Sequence, residues 1–312
     1  MPVREMVCHY VRPFIDRYGD IYPCCFKNRD RRYVIGNVGE DDIVAKMENY
    51  DLTCCCDMYA FRKRCDEGMA QLHVQTSLAC NGKCAVCYVN APLRKQSVEV
   101  DFDKVFAFIE RLHPVVIQFE GGEIPVQKRS LRFIERVHAA FPDIHLKLLT
   151  NGCYPQDMAE ILPSLFKSID VSFMGATPRT YYVETCLDLE TTKHFVRLVH
   201  ARGVDLGLRF ICTPLTLPEA GEFLHFAMDF AKANIWISEC NLGAFICTPP
   251  DIPYWKQIIP RCQVLFREAL LKRRPDFTAK ACNLWFTPMA AGLLNITPKL
   301  LDMFKLTNVH IR

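Results

Sequence analysis

The 312-residue sequence has no apolar run near the ~18 residues that span a membrane, and its first residues, Met-Pro-Val-Arg-Glu-Met, contain no apolar signal core. Both absences point away from a helical membrane protein or a secreted one and lead to the expectation of a cytoplasmic protein. Charge of one sign is also scarce. A net charge of +3 is too mild to argue for nucleic acid as a partner. The basic triplets Arg62-Lys-Arg64 and Lys272-Arg-Arg274 read as solvated faces. No internal repeat and no low-complexity segment occurs. The nine histidines are scattered without a His-x-x-x-His pair and read as structural.

Cysteine, by contrast, is abundant. Of seventeen, seven lie in the first 65 residues and three between positions 80 and 87. Such clustering in a reducing compartment favours metal over disulfides. The other seven (Cys153, Cys186, Cys212, Cys240, Cys247, Cys262 and Cys282) are isolated, and most read as small buried hydrophobes. Half the residues are hydrophobic, which indicates a globular protein, and the length allows one large domain and a small one.

The stretch that organises the chain is Cys80-Asn-Gly-Lys-Cys84-Ala-Val-Cys87-Tyr88, directly after the apolar run Leu72–Leu78. Three thiols spaced four and three residues apart on one loop can converge on a single inorganic centre. A four-iron cluster held by three cysteines keeps one iron open to a ligand that is not protein. Zinc is the rival, since a Cys-x2-Cys pair suits a tetrahedral site, but the fourth ligand is missing locally.

From residue 70 the sequence alternates strand and helix, which predicts a parallel sheet with helical crossovers. Strands are expected at 72–78, over 115–123, ending within 148–152, over 169–175, and at 204–213 and 235–240. Helices are expected at 102–113 behind Asp101, 128–141, 155–166, 189–202 behind Asp188, and 217–233. Pro249, Pro250 and Pro253 mark a linker, 254–273 reads as a helix, and the last 30 residues are ambiguous. The N-terminal part reads as a separate cysteine-rich module, with short strands near Gly19–Pro23 and Tyr33–Gly39 and a helix over 41–50.

Cys-x3-Cys-x2-Cys after a first strand, then Val115–Glu123 ending in Gly-Gly-Glu, Leu148-Leu-Thr-Asn-Gly152 and Ile169–Gly175, in that order, resembles the radical S-adenosylmethionine (radical SAM) superfamily over roughly residues 70–240. The resemblance implies an α/β fold, a partial (β/α)6 barrel preceded by the small cysteine-rich module. The implied division is 1–68, 69–245 for the barrel, and 246–312 as a mainly helical extension. It implies a 4Fe-4S cluster on Cys80, Cys84 and Cys87. S-Adenosylmethionine would be bound on the open iron, with Gly121, Gly122, Glu123, Thr150, Asn151 and Ser172 around it. The pattern Cys8-x10-Gly19-x4-Cys24, followed by Ile-Gly-Asn and more cysteines, resembles the auxiliary-cluster module called SPASM, or its shorter form, twitch. That module follows the barrel in most of the family and precedes it here. Cys8, Cys24, Cys56 and Cys65 are its expected ligands for one auxiliary 4Fe-4S cluster, with Cys25, Cys54 and Cys55 as alternatives and zinc as the alternative metal.

The activity so implied is reductive cleavage of S-adenosylmethionine to a 5′-deoxyadenosyl radical and hydrogen abstraction from a small-molecule or peptide substrate. Dehydrogenation, epimerisation and cross-linking are all open outcomes. A low-potential donor such as flavodoxin or ferredoxin would supply the electron. Cys240 and Cys212, at the expected ends of the sixth and fifth strands, are candidate hydrogen donors to a substrate radical. A non-catalytic iron–sulfur or zinc scaffold is the competing reading.

Overall fold

The computed structural model describes residues 13–23, 31–50, 71–87, 98–239, 260–266, 268, 283–286, 288–298 and 309–311. The expected ligands Cys8, Cys24, Cys56 and Cys65, their alternatives Cys25, Cys54 and Cys55, and the candidate donor Cys240 lie outside the described residues. Two compact units divide the chain: residues 1–80, 93–149 and 165–167 form the first, and the remainder forms the second.

In the first unit, β1 (Phe14–Ile15), β2 (Asp20–Tyr22) and β3 (Gly36–Asn37) form an antiparallel set, followed by helix α1 (Ile43–Glu48). Gly19, at φ +80°, takes the left-handed turn between β1 and β2 that a residue with a Cβ adopts at a cost. Next come β4 (Gln71–Gln75), α2 (Phe102–Leu112), β5 (Val116–Glu120), α3 (Lys128–Ala140) and β6 (His145–Thr150). β1 joins β4 in parallel, so the N-terminal strands extend the same sheet, and β4, β5 and β6 pair in parallel in that order. Asp101 caps α2 by accepting from the Lys104 N–H at 3.1 Å, as its position before the helix suggests. Arg111 of α2 donates to the carbonyls of Val38 (3.0 Å) and Glu40 (3.2 Å), which ties the N-terminal turn to the helix.

The second unit contains α4 (Gln156–Leu165), β7 (Ser168–Phe173), α5 (Pro178–Thr185), α6 (Leu189–Ala201), β8 (Asp205–Cys212), α7 (Ala220–Ala227) and β9 (Asn234–Glu239). Beyond these lie a helical segment α8 (260–266), β10 (Asn283–Phe286), α9 (Pro288–Leu294) and β11 (Val309–Ile311). Strands β7 to β11 are parallel throughout. The last 30 residues, ambiguous in sequence, thus supply two parallel strands. Helix α5 was not expected either, although its signal is present: Thr177 at the N-cap accepts from the Thr180 N–H at 3.3 Å, and Pro178 opens the helix.

Period-two alternation sorts each strand into two faces. Ile169, Val171 and Phe173, with Leu206, Leu208 and Phe210, form the apolar face, buried under helices. The Phe223 ring of α7 stacks on Phe210 at 4.7 Å and also meets Phe173 at 5.3 Å. In the first unit, Val74, Ile117 and Phe119 face the helices in the same way, and Phe119 meets Phe133 of α3 edge-on at 6.3 Å. The opposite faces carry a different chemistry.

Candidate functional site

The cysteine loop begins where β4 ends, and its first half is stitched to Gly121-Gly122-Glu123. Gly122 N–H donates to the Ser77 carbonyl at 3.1 Å, and Glu123 N–H to that of Ala79 at 2.8 Å. The Gln127 amide donates to the same Ala79 carbonyl at 2.7 Å and itself accepts from Ser130 Oγ at 3.1 Å. The two glycines are required by this docking. A Cβ on Gly121, whose φ is +146°, would stand 2.5 Å from Ser77 O, and one on Gly122 would stand 2.1 Å from Ala79 O. Both Cβ directions are thus occupied by the loop's own carbonyls. Glu123 is buried, with 2 % of its surface exposed.

The second half of the loop is held by other partners. Asn81, between the first two cysteines, accepts from Asn151 Nδ2 at 2.8 Å and donates to the Cys153 carbonyl at 2.7 Å. Lys83 N–H and Ala85 N–H donate to the carbonyls of Thr185 (2.7 Å) and Glu184 (2.8 Å), at the end of α5. Thr150 and Asn151, expected around S-adenosylmethionine, have structural bonds here. The Thr150 hydroxyl accepts from Gly152 N–H at 2.8 Å and pairs with Tyr154 OH, and Asn151 Oδ1 accepts from Cys153 N–H at 2.8 Å. Cys80, Cys84 and Cys87 are all half-buried. Among the described residues no three His, Cys, Asp or Glu side chains assemble into an ion site; closing thiolates onto a metal is itself coupled to metal binding.

Sequence reasoning missed Asn81, Glu184 and two polar clusters. On β4 and β5 the face away from the helices carries His73, Gln75, Gln118 and Glu120, each 5–7 % exposed. Buried strands of a parallel sheet are ordinarily apolar on both faces. Here the Gln71 amide lies 3.0 Å from His73 Nε2, and His73 Nδ1 lies 3.3 Å from Glu120 Oε2. Gln118 donates to that same oxygen at 2.6 Å. On β7 and β8 the face away from the helices carries Asp170, half-buried Ser172, and Arg209. Alternation puts a polar residue at every second position, a signal that was legible but weak in strands this short.

Cys212 falls on the wrong face for a hydrogen donor. It follows Phe210 by two residues, is 1 % exposed, and shares the helix-covered side, whereas Ser172 and Arg209 are register partners on the other. Of the other isolated cysteines described, Cys262 is buried and its thiol is pushed up to about 11 by that burial, as expected of an inert core thiol. Cys186 departs from the expectation. It is exposed and closes α5 at φ +56°.

Glu184 is 6 % exposed and its Oε2 has no hydrogen-bond partner among the described residues; Oε1 accepts from Thr213 at 3.2 Å. Desolvation raises its carboxyl above the ordinary 4.5, and the Thr213 bond only partly opposes this. A raised carboxyl binds its proton more tightly folded than unfolded. Stability is therefore fully present below pH 4.5 and declines as pH rises through the raised value. Glu184→Gln is expected to raise the melting temperature at pH 7–8 and to give no gain near pH 4, with the Ala85 contact intact because it uses backbone. Equal effects at both pH values in thermal unfolding would refute the assignment.

The donor set and its setting fit a cluster with three protein thiolates. Three half-buried cysteines lie on one short loop whose backbone is pinned by Gly122, Glu123, Asn151 and the end of α5. Residues 74–227 match a family model described as the Radical SAM superfamily. No match is found among the curated proteins. Among solved structures, the chain is similar to Streptococcus suis SuiB bound to S-adenosylmethionine, with a TM-score of 0.52 and 12 % identity over 83 % of this chain and 59 % of that one. SuiB in a second structure gives 0.50 and 12 % identity over 74 % and 52 %. An AdoMet-bound structure of anSMEcpe gives 0.49 and 17 % over 69 % and 63 %. The chain thus spans less than two thirds of each of these proteins. The fold is mixed α/β with parallel strands, of the partial radical SAM barrel class.

Proposed function

We propose that residues 74–227, which match the Radical SAM superfamily model, form a radical SAM domain, and that this chain is an enzyme that cleaves S-adenosylmethionine and abstracts hydrogen from a small-molecule or peptide substrate. Domains of this superfamily use a 4Fe-4S cluster and S-adenosylmethionine, and these are its cofactors. The observation that supports the proposal is the docking of Ser77 to Ala79, the start of the loop with the Cys-x3-Cys-x2-Cys spacing, on Gly-Gly-Glu. When bound and reduced, such a cluster supplies the electron that splits S-adenosylmethionine into methionine and a radical able to take hydrogen from carbon.

The chain's own residues hold and orient. Cys80, Cys84 and Cys87 are the proposed thiolate ligands. Glu123, and the carbonyls beside it, would accept from an ammonium group, and Ser172, half-buried on β7, offers a hydroxyl to a carboxylate or ribose. Thr150 and Asn151 act mainly by fixing the loop through Gly152 and Asn81. The buried polar face around Asp170–Arg209 is proposed to supply directional contacts that place a substrate.

Four thiols among Cys8, Cys24, Cys25, Cys54 to Cys56 and Cys65 are proposed to hold one auxiliary cluster of the SPASM or twitch type. A flavodoxin or ferredoxin is the proposed electron donor. Cys240, following β9, remains the proposed hydrogen donor; Cys212, on the helix-covered face, does not. Anaerobically purified protein should absorb near about 400 nm, carry about eight irons with matching sulfide, and yield 5′-deoxyadenosine on reduction with S-adenosylmethionine. About four irons with zinc would remove the auxiliary cluster from the reading. Colourless protein with zinc alone would replace it by a metal-bound scaffold.

A further inference from the structure

The face of β7–β9 turned away from the helices holds one cation, and the structure fixes it from three strands. Arg209 donates from Nε at 2.8 Å and from Nη2 at 2.5 Å to a single oxygen, Asp170 Oδ2. Its guanidinium lies over the Trp236 ring, 5.6 Å from the centroid. Asp170 fits only because its register partner on β8 is Gly207, where a Cβ would stand 2.1 Å from Asp170 Oδ1. A glycine, a buried carboxylate and an indole thus hold one arginine in a single orientation.

A plain ion pair for the buried Asp170 would account for two of the five guanidinium N–H groups. The others, including both on Nη1, have no acceptor in hydrogen-bond reach among the described residues, while the side chain is 35 % exposed. The Nη1–Nη2 edge offers two parallel donors in the spacing of a carboxylate's two oxygens. Asp170 has already fixed the side chain and neutralised part of its charge, so one planar monoanion suits the position better than a phosphate dianion. The same face of these strands offers no second Lys or Arg; beside Asp170 its polar or aromatic side chains are Ser168, Ser172, Asp205, Asn234, Trp236 and Ser238. Because Asp170 and Trp236 hold the side chain, little further ordering is needed on binding.

We infer that Arg209 anchors a carboxylate of the substrate. The assignment rests on the function proposed above, in which Ser172, the register partner of Arg209, lies beside S-adenosylmethionine. The substrate class is an organic acid, or a peptide presenting a free carboxylate. Asp170 and Gly207 are positioning residues for Arg209.

The test uses the full chain under anaerobic conditions, with N-acetylglycine and its uncharged counterpart N-acetylglycinamide as probes. Binding is followed by tryptophan fluorescence, to which Trp236 contributes, and by calorimetry. The acid should bind saturably and at least tenfold more tightly than the amide. Arg209→Lys should weaken the acid about tenfold by losing the fork. Arg209→Gln combined with Asp170→Asn, which leaves no unpaired buried charge, should abolish the preference for acid over amide. The affinity for S-adenosylmethionine should change less than twofold in all variants. Equal binding of acid and amide by the wild type, or an unchanged preference in the double variant, overturns the inference. So does loss of S-adenosylmethionine affinity with acid binding intact, which would assign Arg209 to the cofactor's own carboxylate. Acid binding needs no cluster, so a protein without iron that still selects the acid would count against the radical reading alone. A protein that cleaves S-adenosylmethionine but ignores the acid would count against Arg209 alone.

Discussion

Protein in which Cys80, Cys84 and Cys87 are all replaced by alanine is expected to lose about four irons per chain and to form no 5′-deoxyadenosine above background. The three thiols are half-buried on a loop whose backbone contacts do not involve the sulfur atoms: Glu123 N–H to Ala79 O, and Lys83 and Ala85 N–H to the end of α5. Alanine at these sites therefore leaves the loop docked and the strands paired. The far-ultraviolet circular dichroism should match wild type, and any metal held by the N-terminal thiols should remain. Cofactor cleavage surviving the triple change would sink the assignment of the open-iron cluster to this loop. Loss of fold together with iron would instead make the metal structural, since metal binding and folding are then one equilibrium.

The second large effect comes from a single methyl group. Gly122→Ala places a Cβ 2.1 Å from Ala79 O and 2.6 Å from both Leu78 C and Leu78 O, all backbone atoms that no rotamer change can move. Either β5 or the cysteine loop must shift. Such overpacking against backbone is expected to cost about 3 kcal/mol or more, beyond the common range for core insertions. The shift would also break the Glu123–Ala79 bond and drag Cys80 from its place, so iron retention should fall with stability. Gly292→Ala provides the contrast. Position 292 lies within α9, with nothing inside 4 Å of its Cβ direction, so the same change should stabilise by up to about 1 kcal/mol. Chemical denaturation of both variants decides the matter. Similar stabilities would show that the loop is not seated on Gly122 as described.

The alternation of strands and helices between residues 71 and 239 was legible because each element carries its own period and its own stop signals. Asp101 and Asp188 announce their helices as caps, and Asp188 does accept from Thr191 N–H at 2.7 Å. The cysteine spacing and the Gly-Gly-Glu were legible as chemistry for the same reason: residues close in sequence cannot be far apart in space. The tasks of those residues were read less well. Gly121 and Gly122 were expected around the cofactor; the structure adds a second demand for glycine there, since their Cβ directions meet Ser77 O and Ala79 O across more than forty residues. Cys212 was assigned to the pocket by its place at a strand end, but one step of the pleat turns it under the helices with Phe210.

By itself the sequence determined most of the alternation of strands and helices between residues 71 and 239 and the cysteine spacing in the stretch that a radical SAM family model matches, all of which rest on local spacing. Tertiary structure alone decided that β1 continues the sheet beside β4, that β10 and β11 add parallel strands, and that Arg209 meets Asp170 across thirty-nine residues. Those outcomes depend on register. A strand carries the same side chains whatever its neighbour, and only pairing sets which polar groups share a face and leave an arginine with donors to spare.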